Sequence, residues 1–166
     1  MSPIDTSMEP MLEMFIFETT TLLEQLDEIM IASEKSGRFG PGDVDEIFRI
    51  MHTIKGSSAM MGLEGISELA HHVEDMFFLI RENPGQMLAD GEAVFDLIFQ
   101  ASDYFKRGIE GIAAGSVYSA DHSSLSAGIA AEVARLKGEH PIQGAFTACL
   151  SSSQVSAITS SSNSKS

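Results

Sequence analysis

The 166-residue sequence has one cysteine, Cys149, few basic side chains (10 against 24 acidic ones), and no long apolar run. A single cysteine closes no internal disulfide and offers no pair for a zinc ion. No stretch approaches the ~18 apolar residues of a membrane helix, and no charged-then-apolar signal segment opens the chain. These absences predict a soluble protein of a reducing compartment, most simply the cytoplasm, with no direct membrane insertion. The net charge of −14 argues against nucleic acid as a partner, because a phosphate backbone demands the opposite sign. No phosphate-cradling Gly-x-x-x-x-Gly-Lys pattern occurs, and no glycine-rich loop follows a strand. The chain by itself is therefore expected neither to bind ATP nor to phosphorylate itself.

Strand-like alternation is missing too, whereas apolar residues recur at threes and fours, the period of a helix. Five helices are predicted, over about 7–34, 43–61, 63–82, 90–113 and 123–137. The first is expected to start near Thr6 with a Thr6/Glu9 capping box, and to bury Leu12, Phe15, Ile16, Leu22, Leu23, Leu26, Ile29 and Met30. Residues 36–42, rich in glycine, break it. The second buries Val44, Ile47, Met51, Ile54 and Ser58 and closes at Gly62. The third buries Ile66, Leu69, Ala70, Val73, Met76, Phe77 and Ile80, and Asn83-Pro84-Gly85 ends it.

The fourth helix, with Asp90 as its expected N-cap, buries Val94, Leu97, Ile98, Ala101, Tyr104 and Phe105. Gly108, Gly111 and Gly115 read as its frayed end. The fifth runs through Leu125, Ile129, Val133 and Leu136 to Gly138. Short connections predict an all-α, up-down antiparallel bundle, a four-helix core with a fifth helix alongside. The ten methionines read as core filler. Residues 139–166 contain one acid, one base and many serines, so 1–138 is the expected domain and 139–166 a flexible linker with more protein beyond it.

The second helix carries an anomaly. Away from its apolar stripe lie Phe48, His52, Lys55, Gly56 and Ala59 on one side. A glycine inside a helix costs about 1 kcal/mol against alanine, so Gly56 requires a reason, and close approach to the imidazole of His52 is one. The third helix carries a matching stripe of Ser67, His71, Glu74 and Phe78. Between antiparallel neighbours these would bring a carboxylate and a lysine to His52. A carboxylate on one ring nitrogen raises the nucleophilicity of the other, and an ammonium neutralises an incoming phosphoryl group. The residues alone leave other readings open: a solvated surface histidine and lysine, a metal-binding bundle using His52, His71, His72 and Glu74, or an acidic bundle docking a partner through Phe78-Leu79.

His52-Thr53-Ile54-Lys55-Gly56 resembles the His-x-x-Lys-Gly signature of histidine phosphotransfer domains. The longer run through Gly62, Ile66, Leu69, Ala70-His71, Val73-Glu74-Asp75 and Arg81 is similar to the amino-terminal phosphotransfer domain of CheA-type chemotaxis histidine kinases. The resemblance covers about residues 8–137 and fades in the last two helices. It implies that His52 is phosphorylated, that Glu74 orients its imidazole, that Lys55 and His71 complete the polar network, and that Gly56 keeps the approach open. It implies no cofactor in this chain. ATP and Mg2+ would be bound by a partner kinase domain, of the same chain or of a dimeric partner, and Mg2+ by a response-regulator receiver domain whose aspartate takes the phosphoryl group. The isolated domain is expected to be monomeric. A hybrid-relay phosphotransfer domain or a free-standing shuttle is the alternative within the same chemistry.

Overall fold

The computed structural model describes residues 8–83, 91–116 and 118–138. The described residues form five helices: α1 (Glu9–Ser36), α2 (Pro41–Met60), α3 (Glu64–Glu82), α4 (Gly91–Ala113) and α5 (Ser123–Leu136). Two sharp reversals set the first three against one another. At each, a glycine takes a left-handed conformation that side chains disfavour, Gly37 at φ 75° and Gly62 at φ 73°. The residue after each glycine then bonds back into the ended helix, Arg38 N to Ser33 O (3.1 Å) and Leu63 N to Ser58 O (2.9 Å).

The pairing of α2 with α3 shows their opposite sense residue by residue. Asp45 meets Arg81, Phe48 meets Phe78, His52 meets Glu74, and Lys55 O accepts from Ser67 Oγ. α1 packs on α2 and α4, α4 also touches α3, and α5 lies against α3 and α4. The bundle is all-α and up-down, with four helices in the core and the fifth alongside, as the spacing predicts.

The core holds the expected stripes, with Leu26, Met30, Ile47, Met51, Ile54, Leu69, Met76, Phe77, Ile98 and Phe105 fully enclosed. Helix bounds move by one or two residues. α2 begins at Pro41 rather than at 43, because proline fits a first turn and the Asp43 carboxylate accepts from the Gly40 amide at 2.9 Å. The same carboxylate accepts from Ser33 Oγ (3.4 Å), tying the end of α1 to the start of α2. α1 runs on to Ser36, with Met8 as its N-cap and no side-chain cap. Thr6 and Asp90, the expected caps, lie outside the described residues, as do Pro84 and the stretch 139–166.

The break between α1 and α2 stands but is packed, and two expectations are corrected. Phe39, read as part of a break, is buried, stacked on Phe95 (4.5 Å between centroids) and edge-on to Phe77 (5.5 Å). Gly108 is no frayed end: it is buried within α4, and a Cβ there would come within 3.0 Å of Ile66 and Tyr118. Met60 is exposed, as are Met11 and Met14, so the methionines are only partly core filler.

Candidate functional site

α2 and α3 present the histidine on their shared outer edge. The buried positions of α2 turn His52 outward, and its side chain is 64% exposed. Across the groove, Glu74 sits one position past the buried Val73, which drops its side chain to 11% exposure. His52 Nδ1 and Glu74 Oε1 are 3.0 Å apart. Lys55, one turn along from His52, holds the other carboxylate oxygen, Nζ to Oε2 at 2.7 Å, and is itself 28% exposed. A buried carboxylate thus spans an exposed imidazole and a half-buried ammonium.

Burial by itself raises the carboxyl pKa of Glu74. Hydrogen bonds from Lys55 and His52, with their charges, outweigh that and hold it below the usual carboxylate value. Glu74 is therefore ionised near neutral pH, and an ionised carboxylate takes the Nδ1 proton as its hydrogen bond. That fixes the imidazole tautomer with its lone pair on Nε2, on the solvent side. Ser67 Oγ, donating to Lys55 O at 3.0 Å, pins the backbone beneath the lysine.

Gly56 lies one turn beyond His52 on the same edge. A Cβ at this glycine would meet nothing within 4 Å, so packing in this domain does not require its absence. The space on that side of the helix is open. On the other side of His52, the Phe48 ring lies nearly parallel to the imidazole (6.3 Å, 18°).

The structure therefore brings His52, Lys55 and Glu74 together, with Gly56 open beside them. It does not bring His71 in. That ring faces Asp75 (3.5 Å, one turn on) and the edge of His72. The reason is the inward tilt of Glu74, whose two oxygens are already taken by α2. His72 pairs with Glu68 instead (3.8 Å), so His71 and His72 do not join His52 and Glu74 around one point. Among the described residues, no group of three or more His, Cys, Asp or Glu could hold a metal ion. No described helix is long and apolar enough to cross a membrane. A cavity of about 580 Å3 is lined by Met61, Leu63, Tyr104 and His122 and includes none of His52, Lys55 or Glu74. The candidate chemistry sits on an open face, not in a pocket. Phe48 and Ser67 lie on the stripes that carry His52 and Glu74 in the sequence, and Arg81 joins them from the end of α3. Their positions facing one another across α2 and α3 are the signal that finds them.

Comparison with known proteins agrees with this geometry. The family model described as Hpt domain matches residues 10–114, which takes in nearly all of α1 to α4. Chemotaxis protein CheA of Treponema pallidum is 34% identical over 141 residues, 85% of this chain and 16% of that protein. Its counterpart in Listeria innocua is 33% identical over 138 residues, 83% of this chain and 21% of that protein. The CheA of Bacillus subtilis is 32% identical over 123 residues, 72% of this chain and 17% of the relative. The chain thus spans about a fifth or less of the length of these relatives. No solved structure matches.

Proposed function

The chain belongs to the Hpt domain family, and from that premise we propose that it is the phosphoryl carrier of a CheA-type chemotaxis kinase, with His52 as the residue that is phosphorylated. The observation that carries the reading is the exposed His52 held at Nδ1 by the buried Glu74, which Lys55 holds in turn.

In the loading step, the Nε2 lone pair attacks the γ-phosphorus of ATP. A P–N bond forms while the bond from that phosphorus to the β,γ-bridging oxygen breaks, and ADP leaves with the electron pair. The ring becomes cationic, and Glu74 stabilises it through the Nδ1 proton. In unloading, a carboxylate oxygen of the response regulator's aspartate attacks the same phosphorus, and the P–N electron pair returns to Nε2. Positioning and charge stabilisation carry most of such a transfer, so a fixed imidazole with a cation beside it is sufficient equipment for a carrier. Lys55 offsets charge on the phosphoryl oxygens, and the open side at Gly56 lets two different active sites reach the ring in turn.

ATP and its Mg2+ belong to the kinase domain, and the Mg2+ of the second step to the receiver. The carrier works in the cytoplasm, as a monomeric unit on its own. Similarity to CheA proteins supports the chemotaxis assignment.

The test uses radiolabelled ATP and the catalytic core of a CheA-type kinase, with the parent chain and His52→Gln as acceptors. Label on the parent alone, stable in alkali and lost in acid, is the expected result. No label on either, with the kinase core active on its own carrier domain, overturns the reading.

A further inference from the structure

Next to His52, toward the start of α2, lies an arrangement that the transfer chemistry above does not use. The Arg81 guanidinium sits over the Phe48 ring (4.6 Å to the centroid) and the Phe78 ring (5.4 Å). Phe48 in turn lies parallel to His52, and Phe78 is 44% exposed. An aromatic floor thus holds a cation beside the phosphorylation site. The guanidinium is paired only loosely, to Asp45 at 3.4 Å and to Glu82 at 4.0 Å. Arg81 and Asp45 are 37% and 47% exposed. Ion pairs so exposed contribute little to stability and exchange readily with water or another carboxylate. Stacking on two rings, by contrast, keeps the guanidinium oriented when its partner changes.

We infer that Arg81 is a docking residue for the phosphoryl acceptor: its guanidinium leaves Asp45 for a carboxylate of the receiver domain, with Phe48 and Phe78 as the floor of the contact. This rests on the phosphotransfer reading of His52. Charge argues for the acceptor as the occupant. A domain that takes a phosphoryl group on aspartate and holds Mg2+ through carboxylates is negative around its reacting atoms. Most of this chain, at a net −14, repels such a surface, and Arg81 is an attractive point beside the reacting histidine. Asp45 then acts as a built-in competitor for the same cation.

Removing either partner of the Arg81–Asp45 pair breaks one and the same ion pair, yet the inference gives the two removals opposite effects. The chain is loaded at His52 with phosphoramidate, which bypasses the kinase domain: its P–N bond breaks, ammonia leaves, and the phosphoryl group passes to Nε2. Transfer from the loaded fraction to a chemotaxis response-regulator receiver domain with Mg2+ is then followed against carrier concentration. Arg81→Gln is expected to raise KM about ten-fold at little change in kcat, Arg81→Lys to recover part of that, and Asp45→Asn to lower KM two- to three-fold. If the Arg81 and Asp45 variants change KM in the same direction, or neither changes it, the inference is overturned. It is overturned equally if Arg81→Gln weakens only loading by the kinase core. A parent chain that takes up no label from either donor removes the phosphotransfer reading itself, and this inference with it.

Discussion

Glu74 answers two demands at the residue scale, orienting His52 and giving the Lys55 ammonium a partner as it enters the protein edge. Glu74→Ala is expected to slow phosphorylation of His52 by about ten-fold or more, the equivalent of roughly 1.4 kcal/mol or above in the barrier. Helical content should stay that of the parent, as circular dichroism will show, because the core stripes of α2 and α3 do not involve this carboxylate. The stability that Glu74 contributes has a definite pH sign. Its folded-state pKa is depressed, so the contribution is present above the ordinary value of 4.5 and is lost as pH falls through the lower folded value. Melting curves of the parent and Glu74→Gln should therefore differ at neutral pH and converge in acid. A difference that persists undiminished in acid would instead show that the charge of the carboxylate contributes nothing. Gly56 makes the converse case. Gly56→Ala meets empty space, so the helix gains about 1 kcal/mol. Its melting temperature should rise by about 2–8 °C. Loading by the kinase core should nonetheless slow, by about ten-fold if the open side is the route of approach. A stabilised variant that loads as fast as the parent would assign Gly56 no part in access.

At the scale of elements, the turn between α1 and α2 matters more than its length suggests. Phe39 fills the space between Phe77 on α3 and Phe95 on α4, so a residue outside any helix joins two of them. Phe39→Ala is expected to destabilise the fold by about 3–5 kcal/mol in urea unfolding, while the fraction still folded exchanges phosphoryl groups as before. That role is not legible in the sequence, because a lone phenylalanine among glycines has no periodicity to announce its burial. The helices themselves are legible wherever an apolar stripe is continuous: the expected core positions of α2 and α3 all prove buried, with Ile50 joining them from the stripe's edge. Helix starts are less legible, since Pro41 serves a first turn as well as it serves a break, and Asp43 reads as the start of the helix when it is the third residue inside. Within the site, spacing identifies His52, Lys55 and Glu74 because helical faces settle which of them meet. His71 shares the Glu74 side of α3 and looks equivalent in sequence. Its exclusion depends on Glu74 tilting inward to α2 while Asp75 stays outside to receive His71. Gly108 shows the same limit, since its contact with Tyr118 comes from a connection that folds back over α4.

For the whole molecule, the question is how much chain the site needs. Its side chains come from α2 and α3 alone, yet α3 is covered by α5 as well as by α2 and α4. α5 buries Ile129 and Leu136, and Gly128 fits close against Leu97 of α4 (3.0 Å from an added Cβ). The matched family span ends at residue 114, before α5 begins, while two of the CheA relatives match over 141 and 138 residues of the chain. We propose that the folding unit is nevertheless 1–138 and not the shorter family span, because losing α5 exposes apolar surface on two helices at once. Each fully buried aliphatic side chain removed from such a contact costs about 1.5–3 kcal/mol of transfer free energy. A chain ending at residue 138 should match the full chain in urea midpoint and in the rate of phosphoryl uptake at His52. A chain ending at residue 116 should lose several kcal/mol and populate unfolded forms at lower urea, with slower uptake that is restored when folding is favoured by cooling or by an osmolyte. If the shorter chain instead keeps the parent's midpoint, α5 is an appendage, and the bundle that carries His52 is complete with four helices.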